Sequence, residues 1–163
     1  MRLPQSLKGW KLLPIIGLLI ILSVAMWKTK FLTRTKMSWI TRLFILNNRY
    51  KALWPYMKAQ AKLETNDFTS NAYINEHNMF GMGNAENRSN QPGKSSTQRY
   101  DGGRLIRSYF WDVGSVKDLL NYFEYVNFPT SVSGTSQYAA ELKKRAYYKS
   151  EELAYKNGLD RWL

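Results

Sequence analysis

Apolar residues recur along this chain with several distinct rhythms. From Leu12 to Trp27 they run almost continuously, sixteen residues without a charge. From Met37 to Tyr50 they return at helical spacing, with Trp39, Leu43, Leu46 and Tyr50 on one stripe and Ile40 and Phe44 beside it. A second helix is predicted from about Lys51 to Thr65, where Trp54, Met57, Ala61 and Glu64 stand at i, i+3, i+7 and i+10. Between Asn66 and Gly103 aliphatics thin out in favour of Asn, Ser, Gly and Gln, which predicts loops and a short hairpin. Its turn is Tyr100-Asp101-Gly102-Gly103, leading into Leu105–Phe110. Helical rhythm resumes at Val116, Leu119, Leu120, Phe123 and Val126, with Ser115 as N-cap, Asp118 three residues on and Pro129 as the stop. Two more helices are predicted, at about Ser136–Arg145 and Ser150–Leu163. The latter opens with Glu151 and Glu152, favourable at a helix N-terminus, and packs Tyr155, Leu159 and Trp162. The expected class is α+β, mainly α, with one small β-hairpin, preceded by one N-terminal transmembrane helix.

Charge divides the chain unevenly. Nine of its 24 Lys and Arg, and none of its 12 Asp and Glu, precede residue 51. A basic arm suits either nucleic acid or an anionic membrane surface. Here it brackets the apolar run, which favours the membrane. Sixteen helical residues span about 24 Å against a hydrocarbon core of about 30 Å. Lys11 and Lys28 can reach the interface at either end, and Trp10 and Trp27 suit the headgroup regions. The rival is a cleaved signal peptide, with Ser23-Val24-Ala25 as a small-x-small site. The expectation is a membrane anchor over residues 1–36, touching the bilayer through residues 10–30, ahead of a domain at 37–163. No cysteine is present, so disulfides, thiol nucleophiles and cysteine-ligated zinc are excluded.

The first carboxylate of the chain is Glu64. It lies on the inner stripe of its helix, beside Trp54, Met57 and Ala61, and next to the first loop. An apolar setting of that kind raises a carboxyl pKa, which general-acid cleavage of a glycosidic bond requires. The bland alternative is a glutamate paired with an arginine or capping a loop. His77, the one histidine, lies in a loop and carries no metal expectation; no cofactor is expected either.

Gln60-Ala61-Lys62-Leu63-Glu64-Thr65 is followed, past Ser70, by Asn78-Met79-Phe80-Gly81-Met82. That order resembles the glucosaminidase family of peptidoglycan hydrolases, flagellar-muramidase-like members of the lysozyme superfamily. There, a helix ending Gln-Ala-x-x-Glu-Thr/Ser precedes Asn-Leu-Phe-Gly-Ile/Met. Downstream, Tyr109–Asp118 is similar to a Tyr-x-Ser-x-x-x-Ser-Val-x-Asp passage, and Tyr138–Lys144 to Tyr-x-x-x-Leu-Lys-Lys. The resemblance covers roughly residues 40–163. It implies a lysozyme-like fold and Glu64 as the proton donor. The candidate substrate-binding residues are Asn78, Phe80, Tyr109 and Tyr155. Asn78 can contact either the loop or a sugar, Phe80 also serves as a core residue holding the loop against the helix, and Tyr109 is an aromatic able to stack on a sugar ring. The implied partner is the glycan strand of peptidoglycan.

Two positions depart from the family pattern. Where many members carry a second glutamate, this chain has Thr97-Gln98-Arg99. Asp101 is the closest substitute, with Asp112 behind it. Counted from Tyr147, the family's terminal tyrosine falls on Leu153, two residues before Tyr155. The leading expectation is a membrane-anchored glycosidase, an N-acetylglucosaminidase or lytic transglycosylase. It would open the wall locally from the membrane of a lipid-containing bacteriophage virion, alongside other virion proteins, or from a bacterial inner membrane facing the periplasm. A second reading is a structural virion or envelope protein with an inactive fold, which predicts no acid in an open cleft near Glu64. A third, nucleic-acid binding through residues 28–36, predicts steep salt dependence. No specific nucleic acid is expected.

Overall fold

The computed structural model describes residues 39–85, 87–100 and 103–163. The anchor expected at residues 1–36, its bilayer contact through residues 10–30, and the candidate acid Asp101 lie outside the described residues. Among the described residues no helix is long and apolar enough to cross a membrane.

The first helix, α1, is Trp39–Leu46, shorter than the apolar stripe suggests. The chain leaves the helix after Leu46 and turns, with the Asn48 side chain accepting the Tyr50 N–H at 3.1 Å. That break shifts the phase of the stripe. Thr41 and Ile45 face inward, Leu46 and Phe44 are partly exposed, and Tyr50 is buried from the turn, edge-on to Phe123 at 5.4 Å. A 3₁₀ turn, Lys51–Leu53, leads directly into α2, Trp54–Thr65, with Pro55 in its first turn, where a missing N–H costs nothing.

The end of α2 is over-determined. Asn66 adopts the left-handed conformation and its N–H returns to the carbonyls of Leu63 and Lys62. Thr65 Oγ1 donates to the Ala61 carbonyl at 2.6 Å and accepts the Phe68 N–H at 2.8 Å. Asn66, Asp67 and Phe68 all carry positive φ. For a bulky residue such as Phe68 that is a costly conformation, held here by burial of its ring. A short helix α3, Asn71–Glu76, follows, with the Ser70 side chain capping the Tyr73 N–H. The sequence predicts only loop there. Six residues are too few for a periodicity to show.

The sheet has two antiparallel strands, β1 Lys94–Tyr100 and β2 Arg104–Ser108, with an irregular register between Ser95 and Arg99. Three helices complete the domain: α4 Asp112–Tyr125, α5 Thr135–Lys144 and α6 Glu152–Asp160. α4 starts three residues before its expected cap. Ser115 lies inside the first turn, buried, and its hydroxyl accepts the Met79 N–H at 2.9 Å. The protein is thus mainly helical with a small antiparallel sheet, its core built around Tyr50, Phe123, Phe128 and Tyr138. α5 packs on α6 and α6 on α2. Gly158 permits the second contact, since a Cβ there would lie 2.8 Å from Leu63 Cδ1.

Asn78 is the latch between loop and sheet. It is 2 % exposed, its amide donates to the carbonyls of Met82 and Arg107 at 2.9 Å each, and its Oδ1 accepts the Met82 N–H at 2.9 Å. Asn78→Ala leaves three main-chain groups without these partners and is expected to cost about 2–4 kcal/mol. Urea denaturation measures this; a loss below roughly 0.5 kcal/mol would contradict the latch.

Candidate active site

Five segments converge on one groove: the last turn of α2 with Glu64, the 80–85 loop with Arg88 beyond it, Arg104 at the start of β2, Tyr122 of α4, and the 146–149 loop after α5. Its volume is about 730 Å³, within the range of roughly 300–1,000 Å³ typical of ligand clefts. Among the described residues lining it, Glu64 is the one carboxylate, and Arg88, Arg104 and Lys149 are the cations.

Gly81 brings the loop onto Glu64. Its φ is +60°, a conformation that favours glycine, and a Cβ added there would sit 3.3 Å from Glu64 Oε2. From the other side, the Tyr155 hydroxyl donates to Glu64 Oε1 at 2.8 Å. Tyr155 stacks on Tyr148, with centroids 3.9 Å apart and planes 7° from parallel. Tyr147 donates to the Phe80 carbonyl, tying the 146–149 loop to the motif. Beneath, Tyr138 donates to Gln60 Oε1 at 2.5 Å, one turn before Glu64 on α2.

Burial pushes the Glu64 carboxyl above its ordinary value of 4.5; the Tyr155 hydrogen bond and the Arg104 charge pull against it without reversing the direction. Tyr138, Tyr147 and Tyr155 are pushed well up, first by burial and then by the Glu64 charge. Tyr148 is raised to about 12, chiefly by burial. The aromatic wall therefore stays neutral and able to donate hydrogen bonds. Such an arrangement can hold a protonated carboxyl at the edge of a groove and deliver the proton to a basic atom bound there.

The structure separates the remaining candidates. Phe80 lines the groove through the floor of the loop, with its side chain 1 % exposed. Asn78 is occupied as the latch and does not line the groove. Tyr109 is also away from it: its hydroxyl donates to Asp118 Oδ2 at 2.5 Å, and Asp118 forms a buried ion pair with Arg88 at 2.6 Å. Asn78 and Tyr109 support the framework, because their side-chain polar atoms are bonded inward. Asp112 accepts from the Tyr73 hydroxyl at 3.1 Å and meets His77 Nδ1 at 2.9 Å, so it is held outside the groove. Phe110 and Trp111 are exposed and pack edge to face on each other at 4.8 Å, away from the groove lining.

Counting along the family pattern pointed to Leu153, but Leu153 is 67 % exposed. α6 begins at Glu152, and its turn presents Tyr155 and Leu159 inward four residues apart. The residues overlooked in the sequence were Tyr148, Arg104 and Lys149. All three lie in or beside loops, where no periodicity marks a face. Among the described residues no cluster of three or more His, Asp or Glu is gathered as metal ligands would be.

No family model matches the chain, and no curated protein matches it. Among solved structures, a peptidoglycan hydrolase mutant from Sphingomonas sp. A1 is similar, with a TM-score of 0.48 and 20% sequence identity over 74% of this chain and 90% of that one.

A carboxyl with a raised folded-state pKa contributes stability that is full below the unfolded value and lost as pH rises through the folded value. Glu64→Gln keeps the shape and removes the titration. The variant is expected to gain stability relative to wild type as pH climbs from about 4 to 8. Urea melts across that range test it, and a pH-independent difference would contradict a buried, titrating Glu64.

Proposed function

We propose that the protein is a glycan-cleaving enzyme acting on the β-1,4 backbone of peptidoglycan, with a lysozyme-like fold and Glu64 as general acid. The observation that carries this reading is a desolvated carboxyl, alone of its kind among the described lining residues, at the edge of a groove of ligand size. The inactive-scaffold reading expects no acid in such a place. The motif order around Glu64 and Gly81 supplies the substrate class.

Glu64, protonated, donates to the glycosidic oxygen as the C1–O bond breaks and the bonding pair leaves with that oxygen. Positive charge develops at C1. The carboxylate left behind then accepts a proton from the incoming nucleophile, which restores Glu64. Water as nucleophile gives a reducing end. The sugar's own 6-hydroxyl gives a 1,6-anhydro end. Two-carboxylate mechanisms place a second acid on the opposite side of the bond. The candidate second acid Asp101 lies outside the described residues; Thr97-Gln98-Arg99, where two-acid relatives carry a glutamate, leaves room for the anhydro route and a lytic transglycosylase. Tyr155 orients Glu64 and moderates its pKa.

The location belongs to the same proposal and draws on the sequence alone. A single span at residues 10–30 would tether the 37–163 domain at a membrane, in a bacteriophage virion or a bacterial envelope, for local opening of the wall.

Digestion of purified peptidoglycan by the full chain, with mass analysis of the products, tests the reading. An anhydro-muramic end is expected. A reducing N-acetylglucosamine end would instead identify a glucosaminidase. Glu64→Gln is expected to lower turnover by roughly 10³-fold; undiminished cutting by that variant would refute the assignment.

A further inference from the structure

The domain carries many cations, and several are held by its own main chain. Arg107 donates to the carbonyls of Pro92 and Gly93 at 2.8 and 2.6 Å, and Arg99 to that of Gly103 at 2.6 Å. Arg145 bonds the carbonyls of Val126 and Asn127, each at 3.0 Å, and pairs with Glu141. Lys143 grips the carbonyls of Lys149 and Ser150 at 3.0 and 2.6 Å. These contacts shape the hairpin and the loop after α5.

Of the three cations lining the groove, Arg88 is paired with Asp118, whereas Arg104 and Lys149 are exposed and their side chains form no ion pair or hydrogen bond among the described residues. The grip of Lys143 on the loop helps fix where Lys149 stands. Arg104 stands close enough to Glu64 for its charge to be felt there. A guanidinium beside the proton donor, without an ion pair among the described residues, does not help a reaction that builds positive charge at C1. Its placement makes chemical sense if the substrate itself brings a negative charge that answers it.

We infer that Arg104 and Lys149 form a carboxylate clamp, which selects glycans bearing an acidic substituent on the sugar beside the scissile bond. The inference rests on the glycan-cleaving reading and adds to it the choice among glycans. In peptidoglycan such a carboxylate has two sources: the lactyl group of muramic acid when no peptide is attached, and the stem peptide when one is. Arginine suits the role because its planar fork meets a carboxylate through two parallel hydrogen bonds. When the clamp closes on its anion, Arg104 is neutralised and ceases to hold down the Glu64 carboxyl. A cognate substrate thereby favours the protonated, reactive form of Glu64.

The test uses the full chain and three ligands: intact peptidoglycan strands, strands stripped of stem peptides by an amidase, and neutral chitin oligosaccharides. Binding is measured with Glu64→Gln, and kcat/KM with wild type. One or both acidic glycans are expected to be preferred over chitin by about tenfold or more. The stripped strands lead if the lactyl carboxylate is read, and the intact strands if the peptide is. The preference should collapse in Arg104→Gln/Lys149→Gln and persist in Lys117→Gln, which alters an exposed cation of α4 outside the groove lining. Arg104→Gln should also move the Glu64 limb of the pH–rate profile upward, a shift that lost folding would not produce. Equal binding of chitin and acidic glycans, or a preference indifferent to the double variant, would overturn the clamp. Undiminished cutting by Glu64→Gln would instead overturn the general acid, whatever the binding data show.

Discussion

The structure is organised around the desolvation of one carboxyl group. Glu64 lies in the last turn of a helix whose buried residues include Met57, Gln60 and Ala61, and two separate elements, the Gly81 loop and α6, close over it. The Gly81 backbone approaches one oxygen, the Tyr155 hydroxyl takes the other, and α6 is seated on α2 through Gly158. Each contact needs a particular residue type: glycine for the left-handed turn, tyrosine for a donor with a greasy body, glycine again for helix contact. Together they exclude enough water to raise the acid and leave enough groove for a ligand. A stability cost at neutral pH is the expected accompaniment of an acid kept ready in this way.

Polar bonds to the main chain do the holding elsewhere. Asn78 fastens the loop to β2, Ser115 fastens Met79 to α4, and Tyr147 fastens Phe80 to the loop after α5. The three consecutive left-handed residues after α2 set the direction in which the chain leaves Glu64. Mobility in any of these joints would move the Gly81 backbone off the carboxylate. The groove's geometry is therefore a property of the frame, and its chemistry belongs to Glu64, held by Tyr155, and to Arg104 and Lys149, whose side chains have no partner among the described residues.

Much of this frame was legible in the residues. The 3.6-residue rhythm placed α2 and α4 and put Glu64 on an inner stripe. The Asp-Gly-Gly turn signalled the hairpin, and Pro129 the end of a helix. The misses have physical reasons. α1 is shorter than its stripe because the break after Leu46 changes the phase before Tyr50. α3 is too short to show a period. Ser115 looked like a cap because cap and first-turn serines read alike; its hydroxyl serves a loop 36 residues earlier. For Asn78 the residues left loop and sugar contact open, and the choice is made by main-chain groups that only the fold brings near. Tyr155 could not be assigned by counting, since the loop length before α6 decides which tyrosine turns inward. Arg104 and Lys149 carried no local signal at all. Their meaning comes from lining the groove with side chains that have no partner among the described residues.

The protonation of Glu64 can be observed directly. Infrared difference spectra between the wild-type protein and Glu64→Gln isolate the carbonyl stretch of this one carboxylic acid, free of the other acidic residues. A neutral-carboxyl band that persists at pH values clearly above the 4.5 of a free glutamate is the expected result. A band that disappears at or below that value would mean that the side chain is hydrated like any surface glutamate, and the proposed acid catalysis would have no donor.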